Sequence, residues 1–113
     1  MGYLLPPSPA TPKAVGAKGF ANHVSGALSA LVGYLYKMRL TSAVTMTLQG
    51  NPVDGDTVDV LDCLGNFSTC PVTVLAGAGE NIQDGGALLD TDNMSVQFIY
   101  DLAGDKWHLR RLM

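Results

Sequence analysis

Two different periods of apolar residues divide the chain near Leu40. Between Phe20 and Arg39, the residues Val24, Leu28, Leu31, Leu35 and Met38 recur at intervals of four, three, four and three, the a/d alternation of a coiled-coil seam. This spacing predicts a helix over 20–39. Gly26, Ala30 and Gly33 would lie on another face and let a second element approach closely. Glycine costs about 1 kcal/mol in a helix interior, so its presence there points to packing. Two heptads suit a short coiled coil, in which the five apolar residues form an oligomer interface. They suit equally a helix lying on its own domain's sheet.

After Leu40 the period becomes two. Val44–Leu48 alternates as a half-buried strand should, and Gln49, Gly50, Asn51 and Pro52 then turn the chain. Residues 56–62 alternate again, with Leu64, Gly65 and Asn66 as turn material. A third strand is expected over 71–75, short pieces at Ile82 and at Leu88 and Leu89, and the clearest strand over 95–100. Residues 101–105 read as a hairpin loop from which 106–110 returns. The expectation for 44–112 is a small antiparallel β-sandwich or barrel-like domain.

The segment ahead of both patterns is different again. Pro6, Pro7, Pro9 and Pro12 fix φ and withhold donors, which favours an extended arm over 1–19. Tyr3, Leu4 and Leu5 at its tip would gain nothing from solvent, so they are candidates for anchoring the arm on a neighbouring chain. The fold class expected is therefore α+β, mainly β: an arm, one helix and a β body.

Composition turns this outline toward self-association. Hydrophobic residues make up 47% of the chain and charged residues only 15%, against about a quarter charged in typical soluble domains. Some of the surface is thus expected to face protein. Residues 1–40 hold Lys13, Lys18, Lys37 and Arg39 and no acid, whereas all ten acids lie between Asp54 and Asp105. This asymmetry fits head-to-tail complementarity between copies as well as it fits nucleic acid. Four dispersed cations are not the dense cluster that phosphate binding uses, and no nucleic-acid partner is expected. The stretch 19–36 has no formal charge and approaches the lower length of a membrane span. Asn22, His23, Ser25 and Ser29 would each need a partner in lipid, so a small membrane-anchored protein is only an alternative.

No catalytic constellation emerges. His23 and His108 sit in different segments, outside any acid-base or nucleophile motif. The pairs Asp54/Asp56 and Asp90/Asp92 fall on turns, where Asp commonly bonds its own backbone. Asp90, Thr91, Asp92 and Asn93 open like a calcium loop, but Ser95 stands where glycine is needed and Asp101 where glutamate is. Cys63 and Cys70 lack the spacing and companions of a zinc site; they could bridge if their segment forms a hairpin, but free, partly buried thiols are the expectation. No enzyme, cofactor or metal is expected.

The run Gly55-Asp56-Thr57-Val58-Asp59-Val60-Leu61-Asp62, then Gly65-Asn66-Phe67-Ser68-Thr69 and Pro71-Val72-Thr73-Val74, resembles a β module of tailed-bacteriophage virion proteins. Ile82, Leu88-Leu89, Ser95-Val96, Phe98-Ile99-Tyr100-Asp101 and Trp107 continue the pattern, which covers about 44–110. Such modules occur in tail fibres, tailspikes and fibres of the head or neck. The resemblance implies a homotrimer, anchored by its N-terminal segment on capsid, portal, neck or tail proteins and located in the virion after synthesis in the host cytoplasm. It implies a short fibre, a decoration protein or a head-tail or neck component. Two features depart from the pattern: no long shaft or receptor-binding tip follows the module within the sequence, and Cys63 and Cys70 are foreign to it. Phe98, Tyr100 and Trp107 are the candidates for the β body's core or inter-subunit face. The rival is a module that binds a host glycan or receptor through exposed aromatics, for which a single tryptophan is a poor supply.

Overall fold

The computed structural model describes residues 19–112. They form nine strands: β1 (Gly19–His23), β2 (Leu28–Ala30), β3 (Tyr34–Met38), β4 (Val44–Leu48), β5 (Thr57–Asp62), β6 (Val72–Leu75), β7 (Ala87–Leu89), β8 (Ser95–Asp101) and β9 (Lys106–Arg111). A short 3₁₀ turn, Gln83–Gly85, precedes β7. One sheet has the order β1-β3-β5-β8-β9 and the other β2-β4-β6-β7.

Successive strands from β1 to β6 alternate between the two sheets. The pairs β1–β3, β3–β5, β2–β4 and β4–β6 are all parallel. Parallel neighbours need a crossover connection, and here each crossover contains a strand of the opposite sheet. The chain therefore winds between two layers as a short coil. The last three strands close it by antiparallel pairing of β7 on β6, β8 on β5 and β9 on β8.

This architecture corrects two expectations. The helix over 20–39 is absent: the segment forms β1, β2 and β3, which belong to the same sheets as the rest. Gly26 and Gly33 have φ of +80° and +83°, a left-handed backbone that interrupts a helix and that glycine adopts without steric cost. Each sits in a turn between short strands, and His23 Nε2 donates to the Gly26 carbonyl at 2.8 Å. The apolar spacing of Val24, Leu28, Leu31, Leu35 and Met38 is thus not a helical stripe. The antiparallel body is the second correction, because the sheets are mixed and only the C-terminal strands pair antiparallel. The predicted strands after Leu40 otherwise run where the alternation puts them.

The core lies between the layers. Met38, Val58, Val60, Phe98 and Trp107 from the first sheet meet Met46, Leu48, Val72, Val74 and Leu89 from the second, all at most 1% exposed. Phe67, in the loop after β5, is equally buried. That loop is held by Asp62, itself buried, whose Oδ1 accepts the backbone N–H groups of Gly65 and Asn66 and whose Oδ2 accepts that of Phe67. Burying a carboxylate is costly unless hydrogen bonds of this kind satisfy it.

Candidate functional site

Alternation within each strand fixes what the five-stranded sheet turns away from the core. In β8, Val96, Phe98 and Tyr100 are buried inward while Ser95, Gln97 and Ile99 are half-buried on the outer face. The registers align Phe20, Leu35, Asp59, Gln97 and Arg110 in one row across all five strands. A second row contains Lys37, Leu61 and Ser95. Leu112 extends it, its N–H donating to the Ser95 carbonyl at 2.7 Å. A third row contains Thr57, Ile99 and His108.

A sheet face open to water ordinarily alternates polar residues outward. This one instead carries Phe20, Leu35, Leu61, Ile99 and Leu112. Leu35, Leu61, Leu112, Ser95, Gln97 and Arg110 surround a groove of about 390 Å³ with Asp59 at its floor. Lys37 caps one end of the face, its Nζ 5.3 Å from the centre of the Phe20 ring.

Asp59 is the unusual group. It is only 4% exposed although it lies on the outer face, and its Oδ1 has no hydrogen-bond partner among the described residues. Burial pushes its carboxyl above the ordinary carboxylate range, and a hydrogen bond from Gln97 offsets part of that rise. The period-two pattern of 56–62 already places Asp59 outward with Thr57 and Leu61. Its burial was not legible, because the walls around it come from different strands. Leu61 at an outward position was the one available signal.

The other predicted site residues scatter. Val24 and Leu31 are exposed in turns, Leu28 is half-buried in β2, Leu35 lines the groove and Met38 is in the core. They do not meet as one interface. Phe98, Tyr100 and Trp107 fill the chain's own core, and Tyr100 meets Trp107 edge-on at 5.5 Å between ring centres. Tyr3, Leu4 and Leu5 lie outside the described residues.

The polar groups weighed for chemistry are used in loops. Asp54 Oδ1 accepts the N–H of Leu102, Asp56 Oδ2 that of Val53, and Asp92 Oδ1 that of Ser68. His108 Nε2 stands 3.4 Å from Asp101 Oδ2 on the surface. Cys63 and Cys70 are free, the latter buried. Among the described residues no three His, Cys, Asp or Glu side chains are grouped to hold a metal ion. A second hollow, of about 340 Å³, lies beside Leu75, Glu80 and Ile82. Comparison with protein-family models and with curated proteins finds no match to this chain.

Proposed function

We propose that this protein is a self-associating structural component of a bacteriophage virion, a short fibre, decoration or neck protein, and not an enzyme. The observation that carries self-association is the apolar outer face of the five-stranded sheet, with Asp59 buried at its centre and its Oδ1 without a hydrogen-bond partner among the described residues. Burying a polar group without a partner costs free energy, and a covering chain can supply the missing bond. The virion assignment rests on the sequence resemblance over 44–110, with the arm over 1–19 as the particle anchor. The helical seam expected at an oligomer interface is absent, so the homotrimer that the resemblance implies has no support from residues 20–39. Glycan binding is the weaker reading, because Trp107 and Phe98 have no exposed surface on which a sugar could stack. No helix among the described residues is long and apolar enough to cross a membrane.

Particles purified from the producing host test the assignment. The full chain should co-sediment with them and be labelled on intact particles by an antibody raised against it. A chain lacking 1–18 should still melt cooperatively but fail to incorporate. Retained incorporation would contradict the anchoring role, and a chain absent from every particle would contradict the virion reading.

A further inference from the structure

We propose that two copies of this chain pair face to face through the outer surface of the five-stranded sheet, about a two-fold axis along β8, each copy's Arg110 entering the other's Asp59 groove. This deepens the self-association reading and rests on it.

The argument is one of register. Neighbouring strands lie about 4.8 Å apart, so Asp59 on β5 and Arg110 on β9 stand one strand to either side of Gln97 on β8. Among the described residues no ion pair joins Asp59 to Arg110 within the chain. A two-fold axis parallel to β8, between facing sheets, exchanges the two flanks. It sets Asp59 opposite the partner's Arg110 and Arg110 opposite the partner's Asp59. The same operation sets Leu61 against the partner's Leu112, and Gln97 and Ile99 each against their own counterparts. Charge meets opposite charge in the first row and leucine meets leucine in the second. The third sets Thr57 against the partner's His108 beside the paired Ile99 side chains, a self-complementary arrangement of the kind an isologous interface requires. The free Oδ1 of Asp59 gains a guanidinium donor, and the aliphatic stem of Arg110 lies between leucines.

Edge pairing is the alternative for a β protein. The edge strand β9 carries Lys106, Arg110 and Arg111, charges that discourage strand addition there. The face is also small: three strands about 17 Å long make a footprint of roughly 250 Å² per copy. A standard stable interface buries about 800 Å² per partner. The pair is therefore concentration-dependent, and many copies held on one particle would reinforce it.

Sedimentation equilibrium on the full chain over a concentration series tests this. The unsubstituted protein should move between one and two copies, and Arg110→Asp should weaken pairing by about tenfold or more, as should Asp59→Lys. An equimolar mixture of these two variants should regain association, because each groove in the mixed pair again holds opposite charges. Ile99→Asp, which sets two carboxylates against each other on the axis, should likewise weaken pairing by about tenfold or more. This second readout stands even where Asp59→Lys does not fold. Association unchanged by Arg110→Asp, or a three-copy species, would overturn the two-fold pairing while leaving self-association in place. A single copy at every concentration would overturn both.

Discussion

The carboxylate of Asp62 accepts the backbone N–H of Asn93 at 2.9 Å, tying the end of β5 to the turn that begins β8. The same oxygen takes the N–H of Phe67 at 3.1 Å, and Oδ1 takes those of Gly65 and Asn66. One buried side chain thus satisfies four donors from two segments. Asp62→Ala leaves them unpaired and should cost about 2–4 kcal/mol by urea denaturation, at one to three kcal/mol per orphaned buried group with partial access to water. Asp62→Asn keeps one acceptor and should cost less. A loss below about 0.5 kcal/mol for Asp62→Ala would show that the loops do not depend on it.

Asp59 presents the opposite balance. Because burial raises its pKa, the folded chain holds this proton more firmly than the unfolded chain does. The associated stability is fully present below the ordinary value of 3.8 and is lost as pH rises through the raised value. Burial thus works against the charged form of this carboxyl within the single chain. Asp59→Asn should stabilise it by about 1 kcal/mol at pH 7, and the gain should shrink as pH falls toward 4. Thermal melts of dilute protein across that range check the trend. A variant less stable at pH 7 would mean that the carboxylate is well satisfied within one chain.

Tyr100 should govern the alkaline limb. Its hydroxyl donates to Asp105 Oδ1 at 2.9 Å. That bond, then burial, then the charges of Asp105 and Glu80, push the phenol up to about 12. Its contribution to stability is intact below pH 10 and lost between about 10 and 12, as the unfolded chain ionises first. Ultraviolet titration should show a late phenolate step that Tyr100→Phe removes and Asp105→Asn moves earlier. A step unmoved by both substitutions would assign it to another tyrosine.

The stretch 20–39 separates two readings of one pattern. Spacings of four and three are what a helix repeats, yet short strands punctuated by turns produced them here. The available signal was Gly26 and Gly33 bracketing the alternation Leu28-Ser29-Ala30, with Tyr34 and Tyr36 following. A valine at position 33 would be forced to φ near +83°. Gly33→Val should therefore cost about 1–3 kcal/mol, whereas a helical segment would have gained from losing its glycine. Chemical denaturation of this variant distinguishes the two.

The rest of the fold was legible to different depths. Strands β4, β5, β6, β8 and β9 follow from period-two runs, and the β8–β9 hairpin from the short loop that Gly104 and Asp105 end. The parallel pairing of β3 with β5 and of β4 with β6 was not legible, because partners are separated by a strand of the other sheet. Local alternation says which way Val58 and Asp59 point but not which strand lies beside them. Asp59 was therefore readable as outward-facing, while its burial depends on Leu35, Gln97 and Arg110 arriving from β3, β8 and β9.

Self-association is the central claim, and the native mass of the purified full chain measures it most directly. Sedimentation equilibrium over a wide concentration range should give a mass that rises above the 11.9 kDa of one chain. A mass fixed at 11.9 kDa throughout would contradict it, leaving the apolar face of the five-stranded sheet as a surface that copies of this chain do not cover.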